Sequence, residues 1–264
     1  MDDTKNIPLD MTYIRKEIDR VDHALLGLIA ERLELADAVR RAKSGARVWR
    51  PSREESLVRH LAETTDQASP HLVSRIWAEL VSASLALQGP MRLHIALEGD
   101  ALDVWTLVRD RFGAAIPALS YPTTSAALAA AYDEDEGVAV LPAPGGMNSW
   151  WSALCTGGAA TDMTILAGLP RIGSHKWPRA VAVATAERQP SGADTTLIAV
   201  KNSSAIFDAG MKGVLRAEAG DNRLFSVSGF ITPEDNDFKA LLKIDPAASI
   251  IGCLPDPLPE TASR

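Results

Sequence analysis

The sequence predicts an all-α segment of three helices followed by an α/β domain, and three observations carry that reading. Apolar residues recur at steps of four and three from Ile14 to Val39, the spacing of a helical seam of coiled-coil type. Between Met11 and Ser69 the only Gly and Pro residues are Gly27, Gly45 and Pro51, whereas after Gln88 both recur every few residues. Beyond that point short apolar runs alternate with helical stretches, as they do where strands are joined by helices.

The first helix follows Ile14, Ile18, Val21, Leu25, Leu28, Leu35 and Val39 and reaches Lys43, where Ser44-Gly45 ends it. At 1.5 Å per residue it is about 45–50 Å long and needs partners along its whole length. Pro51, then Ser52 and Glu55, fit a capping box that starts a second, shorter helix. Ser69-Pro70 supplies an N-cap and a first-turn proline for a third helix, with Val73, Trp77, Leu80 and Ser84 on one face as far as Gln88. The breaker pair Gly89-Pro90 then divides the chain into domains 1–90 and 91–264. In the second, strands are expected at Leu93–Ala96, Gly137–Leu141, Met163–Leu166, Ala180–Ala184, Thr196–Val200, Leu224–Gly229 and Ser249–Gly252. Helices are expected at Ala101–Phe112, Ser125–Tyr132, Ala205–Ala217 and Pro233–Lys243.

Composition bounds the function. The 264 residues are 46% hydrophobic, enough for a sizeable core without disulfide or metal staples. Lys and Arg number 27 against 34 Asp and Glu, a net of −7, which argues against a whole-surface nucleic-acid binder. No run of 18 apolar residues is present, so no membrane span is expected. The start has no basic segment followed by an apolar run, so no signal peptide is expected either. Cys155 and Cys253 lie far apart and read as reduced, buried thiols of a cytoplasmic protein. The five histidines show no metal-ligand spacing.

The candidate site starts from residues that break the helical pattern. After Leu28 the seam lands on Arg32, where an apolar residue is due. A buried arginine needs an anion or a carboxylate partner, although a lone one more often snorkels or pairs with a neighbour such as Glu31 or Glu34. Lys43, 11 residues on, is rotated only about 20° from Arg32 and lies roughly 16 Å along the axis. Residues 40–53 hold Arg40, Arg41, Lys43, Arg47, Arg50 and Arg53 with no acid between them, which reads as a local anion site or as a solvated basic turn. On the third helix, Ser84 and Gln88 extend the apolar face with groups that need partners. Arg32, Lys43, Glu54, Ser84 and Gln88 thus bring polar groups from three helices toward one interior, as functional sites in helix bundles do.

These residues resemble those of a known family. Residues 11–88, through IRKEIDRVDHALLGLIAERLELADAVRRAK, RPSREESLVRHL and HLVSRIWAELVSASLALQ, resemble the all-helical class of chorismate mutase. The spacing of Arg15, Arg32, Lys43, Arg53-Glu54, Ser84 and Gln88 is that of the family's active site. The resemblance implies an intertwined homodimer built on the first helix, and the rearrangement of chorismate to prephenate in the shikimate pathway toward phenylalanine. It implies that Arg15 reaches across to bind a substrate carboxylate in the other copy's site, and that Arg32 binds one in its own. Lys43 and Gln88 would hydrogen-bond the ether oxygen, and Glu54 would contact the ring hydroxyl. Arg53 and Ser84 would support substrate binding, with Arg50 standing where many members carry Asp. The reaction breaks a C–O bond as a C–C bond forms and needs no nucleophile, metal or cofactor. Arginines hold the dianion in a compact conformer, and a fixed ammonium and amide stabilise charge growing on the ether oxygen.

The second domain resembles prephenate dehydratase in patches. LHIALEGDALDVWTLVRDRFG is similar to that enzyme's opening strand, turn and helix, GVAVLPAPGGMNSWW to a later strand and loop, and residues 193–256 to a compressed ACT regulatory domain. The departures weigh more. DTTLIAV stands where the dehydratase has Thr-Arg-Phe, Pro144-Gly145-Gly146-Met147-Asn148-Ser149 replaces Glu-Asn-Ser, and the phenylalanine-binding ACT signatures are missing. The expectation is therefore a chorismate mutase with a non-catalytic or regulatory second domain. The alternatives are a bifunctional mutase and dehydratase, or a non-catalytic helical dimerisation module joined to a ligand sensor. Trp150-Trp151 is expected in a core or interface, and the glycine pairs in turns.

Overall fold

The computed structural model describes residues 10–42 and 49–260. It is all-α at the start and α/β afterwards, the predicted class. The chain packs as two compact units, Met1–Gly45 and Ala46–Arg264. The division falls before the second helix, whereas the boundary read from composition lies near residue 90.

Among the described residues the first unit is one helix, α1 (Met11–Ala42), of 32 residues. Its length agrees with the stripe, and none of its residues is buried. Leu25, Leu28 and Leu35 on that stripe are 51%, 62% and 61% exposed. An isolated helix gains little from propensity alone, so an apolar stripe of this length needs a partner.

The second unit opens with α2 (Pro51–Thr64) and α3 (Pro70–Gln88). Ser69 caps α3 as the sequence predicts, its hydroxyl accepting from Leu72 N at 3.3 Å, with Pro70 in the first turn. The capping box predicted for α2 does not form. Pro51 is already helical, Arg50 takes the cap position without a side-chain bond, and the two box residues are drawn elsewhere. Ser52 donates to the Gln189 carbonyl at 2.5 Å and Glu55 pairs with Arg171. Tertiary partners outcompete the local cap. Val58 and Ala62 of α2 and Val73 of α3 share a core with Ile172 and Leu258, and Trp49 and Leu85 join the core under the sheet.

The rest follows in the order β1 (Arg92–Ile95), α4 (Ala101–Phe112), β2 (Ala118–Ser120), α5 (Thr124–Tyr132), β3 (Gly137–Pro142), a 3₁₀ turn (Trp150–Leu154), β4 (Thr164–Leu169), β5 (Ala180–Ala184), β6 (Asp194–Val200), α6 (Ala205–Asp208), β7 (Gly213–Ala219), β8 (Asn222–Ser228), α7 (Asn236–Ile244) and β9 (Ser249–Pro255). All nine strands join one sheet, ordered β2-β1-β3-β5-β4-β9-β6-β8-β7. Strand β1 lies between β2 and β3 and is parallel to both, while β5 runs antiparallel between β3 and β4. The central GVAVL and AVAVA runs are buried on both faces, which is why they read as continuous rather than alternating. The last six elements have βαββαβ order, with β6 antiparallel to β9 and β8. This part meets the first part of the sheet where β4 and β9 pair at Ile165 and Gly252.

One predicted helix is overturned. Ala205–Ala217 is a single helical turn followed by the edge strand β7. Gly210 at φ +81° ends the turn, and residues 213–219 pair with β8 through a tight reversal in which Ala219 faces Asn222. An Ala-rich stretch with helical propensity becomes a strand because an adjacent hairpin partner satisfies its backbone. The short edge strand β2 gives too brief an apolar signal to be read from the sequence. Trp151 is fully buried and Trp150 nearly so, in the main core. Gly145 and Gly146 form a turn with positive φ, closed by the Gly145–Asn148 bridge. Both cysteines are free and buried.

Candidate active site

On α1, Arg15 is exposed and Arg32 half-buried, and burial pulls the Arg32 guanidinium below its ordinary value. Lys43 and Arg47 lie outside the described residues. Asp37 pairs with Arg40 at 2.8 Å and with Arg41 at 3.1 Å, so part of the basic run is countered by an acid one turn earlier on the same helix.

In the second unit, α2 and α3 pack against each other. Arg53 is exposed. Arg50 is half-buried and donates to Gln189 Oε1 at 3.3 Å. Ser84 is buried, and its hydroxyl donates to the Leu80 carbonyl at 2.7 Å. Gln88 is half-buried in the last turn of α3.

Glu54 lies in a buried cluster of four charges. Its carboxylate accepts from Arg111 Nη1 at 2.7 Å and lies 3.9 Å from Arg171 Nη2. The neighbouring Glu55 pairs with Arg171 Nε at 3.0 Å and with Arg111 Nη2 at 3.1 Å. Arg171 also donates to Ser74 Oγ on α3 at 3.2 Å. The Arg111 side chain is 1% exposed and that of Glu54 10%, so the set is shielded from water and electrically balanced. Burial penalises the Glu55 carboxylate, but Arg171 and Arg111 outweigh it and hold its pKa below the usual value. Burial likewise opposes charge on Arg111, and the two carboxylates more than compensate.

The sequence reading did not find Arg111 and Arg171. They are 57 and 116 residues from their partners, a separation that no local pattern bridges. A signal did exist for Arg111. It lies one turn beyond Leu107 and beside Phe112 on the buried face of α4, an arginine at an apolar position like Arg32. Arg111 fixes the Glu54 carboxylate at the α2 N-terminal turn.

The two threonines where a dehydratase signature is absent are both engaged. Thr195 Oγ1 donates to Asp256 Oδ1 at 2.8 Å. Thr196 Oγ1 donates to the Gly229 carbonyl at 2.6 Å and accepts from Ile231 N at 2.9 Å. Both hydroxyls tie β6 to its surroundings. Among the described residues no helix is long and apolar enough to cross a membrane.

No curated protein matches the chain. Among the solved structures that match, two align at a TM-score of 0.39 each. One, described as GqqA, a novel type of quorum quenching acylases, is 13% identical and covers 64% of this chain and 96% of its own. The other, prephenate dehydratase from Streptococcus mutans, is 11% identical and covers 62% of this chain and 97% of its own. Likeness at that level carries no argument about fold or activity. The family model for chorismate mutase type II matches residues 14–89. Over this segment, which holds Arg15, Arg32, Lys43, Arg50, Arg53, Glu54, Ser84 and Gln88, the chain is similar to the type II chorismate mutases.

Proposed function

We propose that the protein is a chorismate mutase, an isomerase that rearranges chorismate to prephenate in aromatic amino-acid biosynthesis, acting in the cytoplasm as a homodimer through α1. The family match over residues 14–89 carries this reading, because that segment contains the residues to which the resemblance assigns the chemistry. The exposed stripe of α1 supports the dimer, since a second copy would cover it. In this mechanism Arg32, with Arg15 from the other copy, holds the two substrate carboxylates. Lys43 and Gln88 donate to the ether oxygen as its negative charge grows, and Glu54 accepts from the ring hydroxyl. Arg50, Arg53 and Ser84 complete the binding surface. The α/β domain is taken as a non-catalytic binding or regulatory domain, a role consistent with the structural engagement of Thr195 and Thr196.

The test is to incubate the purified full chain with chorismate and EDTA and follow loss of chorismate absorbance. Turnover is expected, with phenylpyruvate appearing only after acid treatment. A chain that leaves chorismate unchanged is not a mutase, and phenylpyruvate formed without acid would make the second domain catalytic. Lys43→Ala should lower kcat by about 10²–10³ with an unchanged far-UV circular dichroism spectrum, the usual effect of removing one transition-state donor. Near-normal turnover in that variant removes Lys43 from the mechanism.

A further inference from the structure

The charged cluster around Glu54 joins the family-like segment to the α/β region. Arg111 Nη1, on α4, donates to Glu54 Oε2 at 2.7 Å, and Arg171 Nη2 lies 3.9 Å from that same oxygen. Both cations address Oε2. The other oxygen, Oε1, has no partner among the described residues. Of the four charged side chains Glu54 is the most exposed, at 10% against 5% or less for the rest. The carboxylate is pinned from inside by one oxygen and unpaired at the other.

Arg111 is itself held in place. Its neighbour Asp110 pairs with Arg75 of α3 at 3.1 Å. Just past the end of α4, Ala114 N and Ala115 N donate to the Glu79 and Ser82 side chains of α3 at 3.0 and 2.9 Å. The guanidinium lies 5.3 Å from the centre of the Phe112 ring, which packs in turn at 5.6 Å on Trp49. These contacts fasten α4 to the helix that carries Ser84 and Gln88.

Stability alone does not account for this arginine. A buried ion pair is about matched by apolar residues of the same volume. Arg111 Nε and Nη2 are moreover buried without a hydrogen-bond partner, although Nη2 lies 3.1 Å from Glu55. A side chain that leaves donors unsatisfied is a poor way to fill a core. What it supplies is orientation, since one planar fork sets the places of Glu54 and Glu55 together.

We infer that Arg111 is a positioning residue of the mutase site, on the reading above that Glu54 accepts from the ring hydroxyl: it holds Oε2 and so leaves Oε1 as the acceptor. A residue outside the matched segment 14–89 then governs the rate. Without that clamp the carboxylate samples other rotamers, and the hydroxyl loses a fixed partner.

The test is a double-mutant cycle on the full chain, with kcat and KM for chorismate measured per folded protein. Arg111→Lys keeps the charge but loses the fork, and should lower kcat/KM about tenfold. Glu54→Ala removes the group through which Arg111 acts. In that background Arg111→Lys should change kcat/KM by no more than about twofold, whereas a merely structural role multiplies the two losses. Arg171→Lys disturbs the same cluster but not the hydrogen bond to Glu54, so its kcat/KM should stay within about twofold of wild type. Circular dichroism and the urea midpoint check folding, and Arg111→Gln takes the place of Arg111→Lys in the cycle if the lysine variant does not fold. Losses that multiply, an unchanged kcat/KM in Arg111→Lys, or an equal loss in Arg171→Lys each overturn the positioning role and leave the mutase reading standing. A wild-type chain that leaves chorismate unchanged overturns both.

Discussion

Glu54 and Arg111 show how one pair of side chains can join two parts of a sequence. With both groups buried, removing one leaves the other charged and unsolvated. Arg111→Met should therefore destabilise the fold by about 3–5 kcal/mol, read from the urea midpoint at constant m-value, and a loss under about 1 kcal/mol would show the pair to be dispensable. Glu55 adds a pH dependence. Its folded pKa lies below the unfolded one, so its contribution is present above the ordinary glutamate value of about 4.3 and fades as pH falls through the folded value. Stability should accordingly drop on acidification below about pH 4, and Glu55→Gln should flatten that limb of the profile. The cysteines form a contrasting case. Burial pushes Cys155 up to about 11 and Cys253 up to about 12, so neither offers thiolate at neutral pH. Ellman's reagent should label neither in the native protein at pH 7.5 and both in urea. Rapid native labelling would contradict their burial.

At the scale of elements, the seam of the sheet depends on a missing side chain. A Cβ at Gly252 would lie 2.6 Å from Ile165 Cβ and 2.7 Å from the Ile165 carbonyl oxygen, too close for any residue but glycine without a shift of β4 against β9. Gly252→Val should cost about 1–3 kcal/mol or more by overpacking, measured by thermal or urea unfolding, and an unchanged midpoint would mean that the seam yields easily. The sequence places Gly252 only at the end of a strand and gives no hint of the close approach. The helices with periodic apolar faces, α1 to α4, were legible, because apolar faces and end signals are local. The edge strand β7 was not, because its conformation depends on β8 beside it. The α2 capping box failed for a related reason: Ser52 and Glu55 are a valid local pattern, but Gln189 and Arg171 offer them buried partners.

For the whole molecule, the long exposed stripe of α1 and the proposed dimer make one prediction. Analytical ultracentrifugation at micromolar concentration should give a dimer. Leu25→Glu combined with Leu28→Glu, which places two charges on the stripe, should give monomers and abolish chorismate turnover while leaving the second unit folded. A wild-type monomer would refute the dimer. The same scale relates α2 and α3 to the α/β region. They share a core with Ile172 and Leu258, and Arg59 of α2 donates to the Asp256 carbonyl at 2.6 Å. Two of the three helices in the family-like segment thus fold as part of the larger unit.

The sequence by itself determined the class of the fold, the length and stripe of α1, the start of α3 and the buried central strands. All of these are set by periodicity, caps and side-chain chemistry within a few turns of chain. Only the tertiary structure decided that Glu54 and Glu55 meet Arg111 and Arg171, and that α2 and α3 pack with the α/β domain. Those contacts join residues tens to more than a hundred positions apart. Their energies come from burial and charge balance in three dimensions, which no window of the sequence contains.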